Sequence, residues 1–77
     1  MLTITFIKDA HNAVYDALRG TSFYNDDIDL VDSNSATQAT IAHFTHSEGA
    51  YTGITFLSNA TIEQVTKVTN LLKHITV

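Results

Sequence analysis

The last quarter of the chain, NATIEQVTKVTNLLKHITV (residues 59–77), is the segment that most restricts the fold. Its apolar side chains recur every three or four positions, at Ile62, Val65, Val68, Leu72 and Ile75. This spacing predicts a helix with one apolar face. Many of its residues are β-branched and therefore mediocre helix formers. Such a helix needs a sheet to pack against, so the fold must contain both helices and strands.

The N-terminal part of the chain predicts a strand followed by a helix. LTITFI (residues 2–7) alternates apolar residues with threonine, which is typical of a half-buried strand. DAHNAVYDALRG (residues 9–20) then places its alanines, Val14 and Leu18 on one helical face. Asp9 is a candidate cap for this helix, and Gly20 is expected to end it in a left-handed conformation.

Two further strands are predicted in TQATIAHFTH and YTGITFL, which are joined by a short turn containing Glu-Gly. A two-residue turn would set His46 opposite Tyr51 and His43 opposite Ile54. A longer loop would change this register. In the C-terminal helix, Asn59 and Thr61 are alternative caps.

A short strand is also predicted in DIDLVD (residues 27–32), with Ile28 and Leu30 facing the core and Asp27 and Asp29 facing solvent. Charge of this kind protects edge strands from unwanted pairing, so we expect this strand at a sheet edge. The predicted order is β-α-β-β-β-α. Residues 1–77 would form one α+β domain, with an antiparallel sheet of three or four strands and both helices on one face.

The α-β-β-β-α part of this order resembles the double-stranded-RNA-binding domain in outline. That family meets phosphates with a lysine cluster at the start of its last helix. The corresponding stretch here is ATIEQVTKV, which holds one glutamate and one lysine. The resemblance therefore stops at topology, and it does not imply RNA binding.

The stretch YNDDIDLVDS (residues 24–33) concentrates half of the chain's carboxylates, at Asp26, Asp27, Asp29 and Asp32. No Lys or Arg occurs between positions 20 and 66, which hold six of the eight acids. One interpretation is a solvated face whose charge serves solubility and edge protection. The other is a negative surface that docks on a basic partner. In that second interpretation the contact residues are the four aspartates, Glu48, Tyr24 and Tyr51.

Most chemical sites are excluded by the residues themselves. There is no Cys, no G-x-S-x-G turn and no glycine-rich phosphate loop, so we expect no catalytic residues and no cofactor. DDIDLVD lacks the glycine and the downstream glutamate of an EF-hand. His43 and His46 would face opposite sides of a strand, so no metal site is predicted. A shallow ligand pocket formed by His43, His46 and Tyr51 is the alternative site, suited to a small anion or nucleotide.

These observations favour a binding protein over an enzyme. A chain of net charge −4 repels phosphates, so direct nucleic-acid binding is not expected. The absence of Cys and of a long apolar run predicts a cytoplasmic protein without a membrane span. In size and composition the chain is similar to phage-encoded inhibitors of bacterial defence, such as anti-CRISPR proteins. The expected partner is a protein with a basic surface, and the chain could form a homodimer. The alternatives are a homo-oligomeric nucleotide-binding module and a self-associating structural protein.

Overall fold

A computed structural model of the protein describes residues 2–7 and 10–77. The helices and strands follow in the order β1 (Thr3–Thr5), α1 (His11–Leu18), β2 (Phe23–Asn25), β3 (Asp29–Asp32), β4 (Thr40–Ser47), β5 (Ala50–Phe56) and α2 (Ile62–Leu71), with a 3₁₀ turn at Lys73–Ile75. The five strands form one sheet in the order β1-β5-β4-β3-β2, and every neighbouring pair is antiparallel. The predicted α+β class with an antiparallel sheet is therefore confirmed.

The number of strands and the position of the acidic strand differ from the prediction. Residues Phe23–Asn25 form β2, which was missed because three residues are too few to show an alternating pattern. β2 pairs with β3 and takes the edge of the sheet. The acidic strand β3 consequently lies between β2 and β4, and the prediction that it forms an edge was wrong.

The β4–β5 hairpin has the predicted turn and half of the predicted register. Glu48 and Gly49 both have positive φ, of 53° and 83°, as a two-residue primed turn requires. His46 lies opposite Tyr51 as predicted, whereas His43 lies opposite Thr55 instead of Ile54. The register shifts between these pairs because the bulge residue Thr52 has no partner on β4.

This bulge decides which side of the sheet Tyr51 faces. Tyr51 and Ile54 are three positions apart, so a regular strand would send them to opposite faces. With Thr52 inserted between the paired positions, both are fully buried at 0 % exposure. The same core cluster holds Leu18 of α1 and Val68 of α2, so one core joins both helices to one face of the sheet.

The opposite face of the sheet is polar and rich in threonine. The hydroxyl groups of Thr3 and Thr55 lie 3.2 Å apart across β1 and β5. Those of Thr45 and Thr52 lie 2.9 Å apart across β4 and β5. We call this threonine-lined side the open face.

The helix ends follow the sequence in part. Gly20 has φ of 81°, which confirms the left-handed residue after α1. The predicted cap Asp9 lies outside the described residues. Thr61 caps α2 in a capping box with Gln64, which selects it over Asn59. In the described part of the chain, no helix has the length and apolar character needed to cross a membrane.

Gly53 lies where the backbone of β1 comes close to β5. A Cβ atom added there would collide with the backbone carbonyl oxygen of Ile4 and lie 3.1 Å from Thr45 Oγ1. We expect Gly53→Ala to lower the free energy of unfolding by about 1–3 kcal/mol, because β1 must move away from β5. Urea denaturation measures this change.

Ser58→Ala, in an exposed turn, is the control for this substitution. Its stability should stay within about 0.5 kcal/mol of the wild type. A Gly53→Ala variant that is as stable as the control would contradict this close approach of β1 to β5.

Candidate functional site

Two turns lie together at one end of the sheet, and we call this region the hairpin end. It consists of the β2–β3 turn (residues 26–28) and the β4–β5 turn at Glu48 and Gly49. A hydrogen bond from His46 Nε2 to the backbone carbonyl oxygen of Asp27, 2.6 Å long, joins β4 to the β2–β3 turn. Asp26, Asp27 and Glu48 are all exposed. The hairpin end therefore presents three carboxylates to solvent.

The β2–β3 turn is fixed by side chains that accept hydrogen bonds from its own backbone. Asp26 Oδ1 accepts from the N–H groups of Ile28 at 3.3 Å and Asp29 at 3.0 Å. Asn25 Oδ1 accepts from the N–H of Asp27 at 3.3 Å. These are Asx turns, and they support the positive φ of 77° at Asp27. Asp26 thus has a structural role in addition to its charge.

Tyr51 anchors this turn from inside the core. Its ring is fully buried and stacks on Phe44, with 4.6 Å between the ring centroids. Its hydroxyl donates to Asp27 Oδ1 at 3.0 Å and lies 3.3 Å from Asn25 Oδ1. Burial, followed by the hydrogen bond to Asp27 and the negative charge of that carboxylate, raises the pKa of Tyr51 well above its ordinary value.

Two histidines lie against the Tyr51 ring. The His11 ring is 4.7 Å from it between centroids, and the His46 ring meets it edge-on at 4.9 Å. His11 Nε2 also lies 3.5 Å from Asp27 Oδ1. One buried tyrosine therefore connects the start of α1, β4 and the β2–β3 turn.

The other two aspartates of the acidic stretch lie elsewhere. Asp29 contacts His43 Nδ1 at 2.5 Å on the open face. Asp32 accepts a hydrogen bond from Gln64 of α2 at 3.2 Å, on the helix side of the sheet. The four aspartates consequently do not form one continuous surface, because alternate strand positions send Asp29 and Asp32 to opposite faces.

No lysine or arginine neutralises these aspartates in the part of the chain that the structure describes. Arg19, which directly follows α1, pairs with Asp16 at 3.0 Å. Lys67 pairs with Glu63 at 3.0 Å within α2. The pairs formed by Asp27 and Asp29 are with histidines. Among the described residues, the separation of charges seen in the sequence therefore persists.

The three residues of the alternative ligand site are not brought together. His43 lies on the open face, whereas His46 and Tyr51 meet on the core side. Tyr51, at 0 % exposure, cannot serve as a surface anchor for a partner either. Among the described residues, no group of three or more metal-binding side chains comes together.

The exposure and contacts of three further residues bear on the candidate site. Tyr24 is 60 % exposed on the edge strand β2, where it lines a cavity together with Asp26 of the β2–β3 turn. Ile28 is 65 % exposed, because residues 26–28 form a turn and do not continue the strand. The contact of His11 with Tyr51 was not foreseen, since no local pattern links the first residue of α1 to a strand forty positions later.

Comparison of the chain with protein-family models, with curated proteins and with solved structures gives no match in any of the three. What the hairpin end does is therefore inferred from its geometry.

Tyr51→Phe tests the anchor of the β2–β3 turn. Loss of the hydrogen bond to Asp27 should lower the free energy of unfolding at pH 7 by about 1 kcal/mol. Because folding raises the pKa of Tyr51, the wild type loses stability once the pH exceeds the unfolded-state pKa of about 10. Above this pH the free energy of unfolding of the wild type falls by up to about 1.4 kcal/mol per pH unit. Tyr51→Phe has no hydroxyl group at this position, so its stability does not fall for this reason.

The stability difference between wild type and Tyr51→Phe should therefore shrink as the pH rises above about 10. Urea denaturation at a series of pH values measures it. A stability difference that stays constant or grows with pH would contradict the hydrogen bond from Tyr51 to Asp27.

Proposed function

We propose that this protein is a small binding protein that inhibits a partner by covering a basic, nucleic-acid-binding surface with its hairpin end. The observation that carries the proposal is the exposure of Asp26, Asp27 and Glu48 on two adjoining turns, with no described lysine or arginine paired to them. Such a group of charges attracts a cationic surface and selects among partners. Inhibitors encoded by phages against bacterial defence, including anti-CRISPR proteins, are the class that we propose.

An exposed isoleucine gives the hairpin end an apolar contact as well. Ile28 lies between the acidic turn residues and strand β3, and it is 65 % exposed. Interfaces combine an apolar centre with a charged rim, and the centre supplies most of the affinity. Ile28 would fill the centre, while the carboxylates would meet lysines and arginines around it.

The β2–β3 turn is already ordered in the protein without a partner. The Asx turn at Asp26 and the hydrogen bond from His46 hold the backbone of the β2–β3 turn, and the Tyr51 hydroxyl holds the side chain of Asp27. A surface that is already ordered loses less conformational entropy on binding. The order of this turn supports a docking surface that binds its partner without a change of shape.

Neutralising two of these charges without changing shape tests the proposal. Asp26→Asn keeps the oxygen that accepts both turn hydrogen bonds, and Glu48→Gln changes only an exposed side chain. We expect the double variant to bind the partner about 3- to 10-fold more weakly at low salt, because each exposed charge pair contributes up to about 1 kcal/mol. The partner is captured from a cell lysate on the immobilised protein and identified by mass spectrometry.

The matched control removes two charges from the helices, in the double variant Asp16→Asn, Glu63→Gln. The control should retain the same partner as the wild type, and added duplex DNA should release that partner from both. Equal retention by the two double variants, or a partner that DNA does not displace, would contradict the proposal.

A further inference from the structure

The outer edge of β2 is a free edge of the sheet that carries no charged residue. Natural proteins limit pairing at an edge strand by charge, proline, a bulge or a very short strand. Here the acidic strand β3 is inside the sheet, and the edge strand consists of Phe23, Tyr24 and Asn25, which carry no charge. Of these devices, β2 has its short length of three residues but neither charge nor proline.

The hydrogen-bond pattern shows which backbone groups of this edge face outward. Ser33 N–H donates to the carbonyl oxygen of Ser22 at 2.7 Å. Asp26 N–H lies 3.5 Å from the carbonyl oxygen of Asp29. In an antiparallel pair such contacts alternate along the strand, so the backbone groups of Phe23 and Asn25 point away from β3. In the described ranges 2–7 and 10–77, no strand lies on that side.

Open space adjoins this edge. A cavity of about 250 Å³ lies between the end of α1 and β2, and Phe23, Tyr24 and Asn25 all line it. Exposed Tyr15 of α1 forms part of its wall. The edge of β2 therefore borders open space, and its outward backbone groups have no strand partner among the described residues.

We propose that the strand that pairs here is β2 of a second copy of this chain, antiparallel to the first about a two-fold axis at Tyr24. That axis sets Phe23 of each copy opposite Asn25 of the other. Each Asn25 N–H then donates to the carbonyl oxygen of Phe23 across the interface, so the edge is self-complementary. The N–H of Phe23 already donates to Thr21 Oγ1 at 3.2 Å, and it is not needed for these two bonds.

Side chains favour the same arrangement. The two Tyr24 rings, each 60 % exposed in a single copy, come face to face across the axis as a cross-strand aromatic pair. No charged residue of β2 opposes another. Because the two strands run in opposite directions, the two hairpin ends point away from each other and stay open to partners.

The interface is small. Three residues on each side bury much less than the 1,200–2,000 Å² of a stable complex. We therefore expect a weak dimer, with a dissociation constant on the order of 100 µM.

Sedimentation equilibrium of the purified chain tests the dimer. Between about 10 µM and about 1 mM, a range that brackets this constant, the average mass should rise from that of one chain towards that of two. Tyr24→Lys places like charges opposite each other on the axis and removes the aromatic pair, and it should raise the dissociation constant at least about tenfold. Ile62→Lys, at an 87 % exposed position on α2, is the matched control and should dimerise as the wild type does.

Amide hydrogen exchange on the wild type gives an independent measurement. The Asn25 N–H should exchange more slowly as the concentration rises. The Thr3 N–H, which faces outward on the other edge of the sheet, should not change. A monomer at all concentrations would overturn the proposal and would leave the edge available to an extended segment of another protein. Assemblies larger than a dimer would also overturn the proposal. So would a dimer that slows exchange at Thr3, or one that forms equally well in Tyr24→Lys.

Discussion

The bulge at Thr52 is the constraint on which the rest of the molecule depends. One extra residue in β5 brings Tyr51 to the same side of the sheet as Ile54. A regular strand would leave the tyrosine on the open face among the threonines. The buried ring of Tyr51 forms part of the core, and its hydroxyl donates a hydrogen bond to Asp27. A single inserted residue in β5 therefore links the packing of the sheet to the shape of the β2–β3 turn.

This link explains why an acidic turn can be well ordered. Carboxylates close together repel one another, and an exposed turn has few apolar contacts to hold it. At the hairpin end, Asp26 caps its own turn, while Asp27 is held by Tyr51 below and by His46 through its carbonyl oxygen. The negative charge is therefore displayed on a backbone that the core fixes, and this is the physical basis of the proposed docking surface.

The sequence predicted those features that depend on neighbours in the chain. The helix α2, a cap at one of the two candidates Asn59 and Thr61, the left-handed Gly20 and the β4–β5 turn come from local patterns and are found in the structure. The predicted apolar face of α2 is found only in part, because Ile62 is 87 % exposed. The class of fold follows from the same patterns.

What could not be predicted depends on residues that are distant in sequence or on one-residue changes of register. A bulge leaves no clear signal in YTGITFL, so the face of Tyr51 and the partner of His43 were not foreseen correctly. β2 is too short to be recognised, and its pairing displaced the acidic strand from the edge. For the site, the concentration of acids in the sequence identified Asp26, Asp27 and Glu48. The structure places Asp29 and Asp32 on opposite faces of the sheet, away from the hairpin end, and this position depends on strand geometry.

The order of the strands also has a consequence for how the chain folds. The β4–β5 hairpin closes over a two-residue turn at the centre of the sheet, and hairpins of this kind form within microseconds. β1, in contrast, pairs with β5 across most of the chain, with Thr3 opposite Thr55, and closing so long a loop costs more conformational entropy. The hairpin is therefore suited to nucleate the sheet, and β1 to join it late, since contacts distant in sequence slow folding.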